Sequence, residues 1–197
     1  MTRELTADDL PEEEDLSEWT HPLSLGLKKK GNQDRGSWWE EKSIELMKEK
    51  YGHVLSGIEK FSKTKVIASE SHFSLKSKAV PDSTFKNKFS KRKYVEAKCA
   101  AKRKDESYEV CRLRVYDKMG NDVFDYLVMS FVHPTKGVFV RSMTHAECVK
   151  GIQLGILFYS KDWGGYGFRL NNLDKMTVDG LEMYEGLDCI GKYEFLL

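Results

Sequence analysis

Residues 79–99 read AVPDSTFKNKFSKRKYVEAKC, a stretch dense in lysine and arginine that still keeps two acids, Asp82 and Glu96, with Lys98 two places past the glutamate. The segment KYVEAKC alternates as a strand does, so its side chains take opposite faces in turn. Glu96 and Lys98 then share one face, while Val95, Ala97 and Cys99 turn to the other, into a core. Asp82 ends the preceding segment, and the chain between it and Glu96 is long enough to turn and return antiparallel. Two carboxylates on adjacent strands, with an ammonium beside them, would converge on a hard divalent cation. Mg²⁺ takes oxygen ligands, usually one or two carboxylates, retained waters and substrate phosphate; the Ala97 carbonyl is a further candidate ligand.

Phosphodiester hydrolysis needs these parts. A metal provides hydroxide near neutral pH and neutralises charge building on the phosphate, and a nearby ammonium orients the attacking water and stabilises the anionic transition state. E-x-K by itself is weak evidence, since Glu40–Lys42 also matches. That copy falls in a predicted helix, where a two-residue step of about 200° separates its ends. A surface strand carrying ordinary charges is the competing reading of Glu96 and Lys98.

Charge along the chain is strongly uneven. Residues 1–20 hold eight acids and one base, a net −7, whereas residues 60–104 hold fourteen Lys or Arg against three acids, a net +11. Such a field attracts polyanions, nucleic acid above all. Lys86, Lys88, Lys91, Arg92, Lys93, Lys102 and Arg103 are the expected phosphate contacts, holding the backbone without reading sequence. A solvated lysine-rich loop is the alternative. The acidic arm opposes the basic stretch and is expected to dock there and weaken non-specific binding.

With 197 residues, 40% of them hydrophobic and 12% aromatic, the chain suits one globular domain. Residues 1–35, with charge blocks and little apolar periodicity, read as an N-terminal arm, and residues 36–197 as a single domain. No apolar run approaches the roughly 20 residues of a membrane helix, and the acidic N-terminus lacks the apolar core of a secretory signal. A cytoplasmic location and no membrane partner are therefore expected. Cys99, Cys111, Cys148 and Cys189 are scattered without a C-x-x-C pair, which argues for reduced, structural cysteines and against a zinc site.

Ser37 is a candidate N-cap for a helix from about Trp38 to Tyr51, with Glu40, Ile44, Met47, Tyr51 and Leu55 at helical spacing. KVIASESHFSLKSKAV, residues 65–80, is strand-like. VFDYLVMSFVH, residues 123–133, is the strongest strand signal, followed by a PTKG turn and the strand VFVRSM. Thr144 and Glu147 form a capping box for a short helix in THAECVKGIQLG. Residues 105–118 are ambiguous: Cys111, Leu113 and Val115 alternate as in a strand, yet Val110 and Leu113 are spaced as in a helix. FYSKDWGGYGFRLNN, residues 158–172, offers aromatics with Arg169, Asn171 and Asn172 that suit bases, although such stretches are more often turns and core edges.

VPDSTF…KYVEAK resembles the PD-(D/E)XK nuclease superfamily of restriction enzymes, junction resolvases and repair nucleases, over roughly residues 36–142. The resemblance implies an α/β fold, a single mixed-sheet domain flanked by helices and restriction-endonuclease-like. Its core runs from a helix, through strands carrying the aspartate and the E-x-K, to a second helix and a later buried strand. It implies a Mg²⁺-dependent endodeoxyribonuclease in which Asp82 and Glu96 hold the metal and Lys98 is the catalytic lysine. Many members add a glutamate from the first helix; Glu40 is the best match and Glu45 the reserve. The second helix would fall at residues 105–118. DNA is the expected partner, with a homodimer to cut both strands of a duplex. A non-catalytic nucleic-acid-binding or assembly protein with a basic face is the alternative, and an interaction protein working through its acidic arm is a third.

Overall fold

A computed structural model describes residues 16–62 and 79–170, together with the backbone of 177–178, 181–182 and 184–185. The strand-like segment at 65–80 lies almost wholly outside the described residues, as do the first fifteen residues of the arm.

The central strand explains the rest. β5 (Tyr126–His133) is apolar on both faces and buried along nearly its whole length, as a strand covered on two sides must be. Leu127, Met129 and Phe131 enter one core and Tyr126 and Val128 another. β5 runs parallel to β3 (Arg92–Ala101), with Glu96 beside Leu127 and Lys98 beside Met129. It also pairs antiparallel with β6 (Gly137–Thr144) across the PTKG turn, where Gly137 takes a φ of +88°. β2 (Ser83–Lys86) pairs antiparallel with β3 in the register Ser83–Val95, as the spacing of Asp82 and Glu96 predicts, and β1 (Ser56–Lys60) pairs outside β2. The mixed sheet therefore runs β1-β2-β3-β5-β6, with the short Tyr184–Glu185 strand on its far edge.

Helices cover one face. α1 spans Pro22–Lys29 and α2 spans Asn32–Tyr51. The inward stripe of α2 is centred on Trp39, Ser43 and Met47 rather than on Glu40, Ile44 and Tyr51, which sit at its margin. Trp39 is 1% exposed and its Nε1 donates to the Val128 carbonyl at 3.0 Å, tying the helix to the central strand. Trp39→Ala opens a large cavity and removes that bond, so the expected loss is about 3–5 kcal/mol. Urea unfolding reads it directly, and a loss below about 1 kcal/mol would contradict this packing.

Two boundaries differ from the sequence reading. α2 begins at Asn32, with Gly31 and not Ser37 as its cap. The Arg35 guanidinium explains the shift: it donates to the carbonyls of Leu27, Lys28 and Lys30 at the end of α1 and to the Asn32 side chain. That clasp starts the new helix six residues early, nearly two turns. Residues 16–35 are also no loose arm, because Trp19 and Leu27 bury against Val132.

The other face carries a second sheet. β4 (Tyr108–Leu113) pairs with β8 (Gly165–Leu170), and β8 with β7 (Phe158–Ser160). Tyr108, Val110, Leu113 and Phe168 pack on Leu127, Met129 and Phe131. Residues 105–118 thus hold a strand where the family resemblance implies a helix. α3 (His145–Gln153) closes this side with Cys148, its start fixed by the Thr144–Glu147 capping box. The described architecture is mixed α/β, with helices, mixed sheet and small sheet in layers. Among the described residues no helix is long and apolar enough to cross a membrane.

Candidate active site

β2 covers β3 only as far as Val95, so among the described residues the edge of β3 beyond it has no strand beside it. Asp82 sits at this step. Its N–H donates to the Val95 carbonyl at 3.0 Å, and its Oδ2 accepts the Ala97 N–H at 2.8 Å. The aspartate carboxylate is thereby pinned over the E-x-K backbone. A strand residue turns its N–H and C=O to the same side, so the Ala97 carbonyl also points to this open edge. Val95 and Ala97 enter the helix-side core, with Cys99 packed against it, and Glu96 and Lys98 take the opposite face beside Leu127 and Met129. This is the alternation that the sequence predicts.

Glu96 is only 6% exposed. Its Oε1 accepts from the Lys98 ammonium, whereas its buried Oε2 has no hydrogen-bond partner among the described residues. A buried carboxylate oxygen left unpaired is costly. Burial, and then the Glu96 charge, push the Asp82 carboxyl up to about 7, against the opposing pull of Lys98 and the Ala97 N–H. Burial alone would lower the Lys98 ammonium, but the Glu96 and Asp82 carboxylates outweigh it and its pKa is raised. Asp82, Glu96 and Lys98 therefore form one electrostatic cluster with more negative than positive charge.

The Asp82 shift has a consequence for stability in the absence of divalent cations. The folded state holds the Asp82 proton up to about pH 7, whereas the unfolded chain releases it near the ordinary value of 3.8. The folded state binds more protons in that window, so stability falls as pH rises from about 4 to about 7 and is level above it. The expected loss is at most about 4 kcal/mol. Asp82→Asn should flatten this slope in EDTA; an equal slope in both proteins would contradict it.

Glu40 reaches the same region, and its charge acts on both Asp82 and Lys98. Its Oε2, however, takes the Lys60 ammonium at 3.1 Å. Among the described residues no group of three or more His, Cys, Asp or Glu side chains forms a metal cage, so Glu40 does not complete one with Asp82 and Glu96. Glu45 is turned away, exposed and paired with Lys42 at 2.9 Å. The cysteines Cys99, Cys111 and Cys148 are free thiols. His145 stands between the Val115 carbonyl and Asp122, and His133 ends β5.

The expected phosphate contacts split into two groups. Lys86, Lys88, Lys91, Arg92 and Lys93 sit on the β2–β3 hairpin, where Lys88 lies over the Phe89 ring and Lys93 holds Asp125 at 2.9 Å. Lys102 and Arg103 lie past the other end of β3, about 30 Å away along a ten-residue strand. Lys102 is held by Glu18 at 3.0 Å and Glu106 at 2.7 Å, and Arg103 by Glu109. Glu18 is the described residue through which the acidic arm's end meets the basic set.

A cleft of about 1000 Å³ opens along this second end of β3, lined by Glu40, Ala97, Lys98, Lys102 and Arg103. Lys28, Arg35, Lys104, Arg112 and Trp163 also line it, and the sequence reading assigns none of them to the site. They come from five separate segments, and no local pattern joins them. No family model, curated protein or solved structure matches the chain.

Proposed function

We propose that this protein is a Mg²⁺-dependent endonuclease that hydrolyses DNA phosphodiester bonds at Asp82, Glu96 and Lys98, on a core of the PD-(D/E)XK, restriction-endonuclease-like kind. The observation that carries the reading is the buried Glu96 Oε2, without a hydrogen-bond partner among the described residues, beside an Asp82 carboxyl that burial, and then the Glu96 charge, push up to about 7. A hard cation is what such a pair lacks, and two carboxylates with a backbone carbonyl match the protein share of a Mg²⁺ shell. Asp82, Glu96 and the Ala97 carbonyl are its proposed holders. When bound, Mg²⁺ would supply charge neutralisation on the phosphate and a lowered pKa for water.

The chain's own groups do the remainder. Lys98, on the same face as Glu96, holds a proton-bearing ammonium where it can orient water and meet negative charge on the phosphate. The cations of the cleft, Lys28, Arg35, Lys104 and Arg112 among them, draw in the polyanion. The strand at β4 is a departure from the family pattern: the connection from β3 to the parallel β5 passes through a second sheet and not through a helix.

A non-catalytic nucleic-acid-binding protein is the second reading, favoured by the ion pair of Glu96 with Lys98 and by the pairing of Glu40 with Lys60, which already give these two carboxylates cation partners. Incubation of the purified protein with duplex, branched and single-stranded DNA, with Mg²⁺ or EDTA, separates the two. Cleavage confined to the Mg²⁺ reactions supports the nuclease; binding without cleavage in every form moves the assignment to the second reading.

A further inference from the structure

β4 contributes Glu109, Cys111 and Arg112 to the lining of the Lys98 cleft, and the turn before β8 contributes Trp163; the β4 backbone is distorted in one place. In the β4–β8 ladder Val110 faces Phe168 and Leu113 faces Tyr166, so β4 carries one extra residue. Arg112 lies in that bulge with a φ of +57°, a conformation that a non-glycine residue adopts at a cost. The extra residue resets the alternation. Val110 and Leu113 both enter the core, and Cys111 and Arg112 both line the cleft. Bulges re-aim side chains in this way beside functional sites.

The glycines of WGGYG fit the same place. A side chain at Gly165 would meet the Leu113 carbonyl oxygen at 2.9 Å and Arg112 at 3.2 Å, so its absence lets β8 close on the bulge. At Gly167 a side chain would strike the Trp163 ring at 2.6 Å. Trp163 therefore lies against bare backbone, flanked by the Phe158 ring at 5.5 Å, and lines the cleft half-buried. Neighbouring cations are engaged: Glu109 holds both Arg103 and Arg169. Arg112 is exposed and makes no ion pair among the described residues.

We propose that Trp163 and Arg112 form a clamp for an unpaired nucleotide of a DNA strand, the indole stacking on the base and the guanidinium holding a phosphate. The assignment rests on the nuclease reading for its neighbour, the Lys98 site, and gives that site a substrate class: DNA with a single-stranded segment. Duplex bases stack on one another and offer only their edges in the grooves, so a fixed aromatic face has use only for a base out of the stack. Stacking of this kind tolerates any base. The guanidinium adds the charge-assisted contact that a phosphate takes best.

Binding to a fluorescent oligo(dT) strand and to a blunt duplex of equal length, measured in Ca²⁺ without Mg²⁺, tests the clamp. Trp163→Ala should weaken single-strand binding about tenfold or more and duplex binding less than about twofold, while Trp163→Phe, which keeps a ring, retains most of the affinity. Arg112→Gly relieves the backbone at the bulge, so it should melt no lower than wild type. It should nevertheless weaken single-strand binding and reduce the salt slope by about 0.7, the share of one phosphate contact. Equal losses on single strand and duplex, or no loss in either variant, would overturn the clamp. Mg²⁺-dependent cleavage by wild type is scored separately. Cleavage with unaffected variants defeats the clamp and spares the nuclease, and clamp-dependent binding without any cleavage does the reverse.

Discussion

Glu96→Gln should reduce Mg²⁺-dependent DNA cleavage by about 10²- to 10³-fold, the scale expected when a buried group stabilising the transition state is lost. The substitution keeps size and removes the charge proposed to hold the metal. It also answers a specific feature, the buried Oε2 with no hydrogen-bond partner among the described residues. Glutamine keeps the shape of Glu96 beside Leu127, so circular dichroism should show an unchanged fold, with a lower melting point from the lost Lys98 ion pair. DNA affinity in Ca²⁺ should change less than about twofold, because one charge among many sets only a fraction of the phosphate contribution. Thermal melts add a second measurement: Mg²⁺ should raise the wild-type midpoint through binding to the folded state and leave that of the variant where it is. A variant that cuts at the wild-type rate removes Glu96 from the chemistry.

The legible parts of this fold are those set by neighbours in sequence. The alternation of KYVEAKC places Val95 and Ala97 in one core and Glu96 beside Leu127 on the other face, and the capping box at Thr144 is closed within four residues. The start of α2 was not legible, because it is set by Arg35 reaching back to carbonyls of a preceding helix. Residues 105–118 were ambiguous for an identifiable reason. The bulge at Arg112 spaces Val110 and Leu113 three apart on one face of a strand, which is also the spacing of a helix. The basic stretch left direction open: net charge along a line carries no information about it. β3 separates Lys86–Lys93 from Lys102 and Arg103, and only the latter pair borders the Lys98 cleft. The clustering of Asp82, Glu96 and Lys98 was legible, because the antiparallel β2–β3 pairing follows from the chain length between Asp82 and Glu96. Arg112 and Trp163 meet it through pairings between β4 and β8 that no local pattern encodes.

Lys98→Ala should move metal binding and catalysis in opposite directions, which no loss of packing would do. The lysine is the cation that Glu96 Oε1 now holds, and it opposes the Asp82 shift as well. Without it the two carboxylates lose the cation that Glu96 holds, so Mg²⁺ affinity should rise by about tenfold; a unit charge a few ångströms away, even at an effective dielectric near 20, is worth more than that. The metal-free variant pays for the same change: an uncompensated buried carboxylate costs about 3–5 kcal/mol, so its melting point in EDTA should fall and recover as Mg²⁺ is added. Cleavage at saturating Mg²⁺ should nonetheless drop about 10²- to 10³-fold, because the group proposed to orient water and meet charge on the phosphate is gone. A strut that merely neutralises Glu96 predicts otherwise, since Mg²⁺ would replace it and restore both stability and rate. Tighter metal binding with a rate that stays low assigns Lys98 to the chemistry; full recovery of the rate in Mg²⁺ returns it to the role of counter-ion.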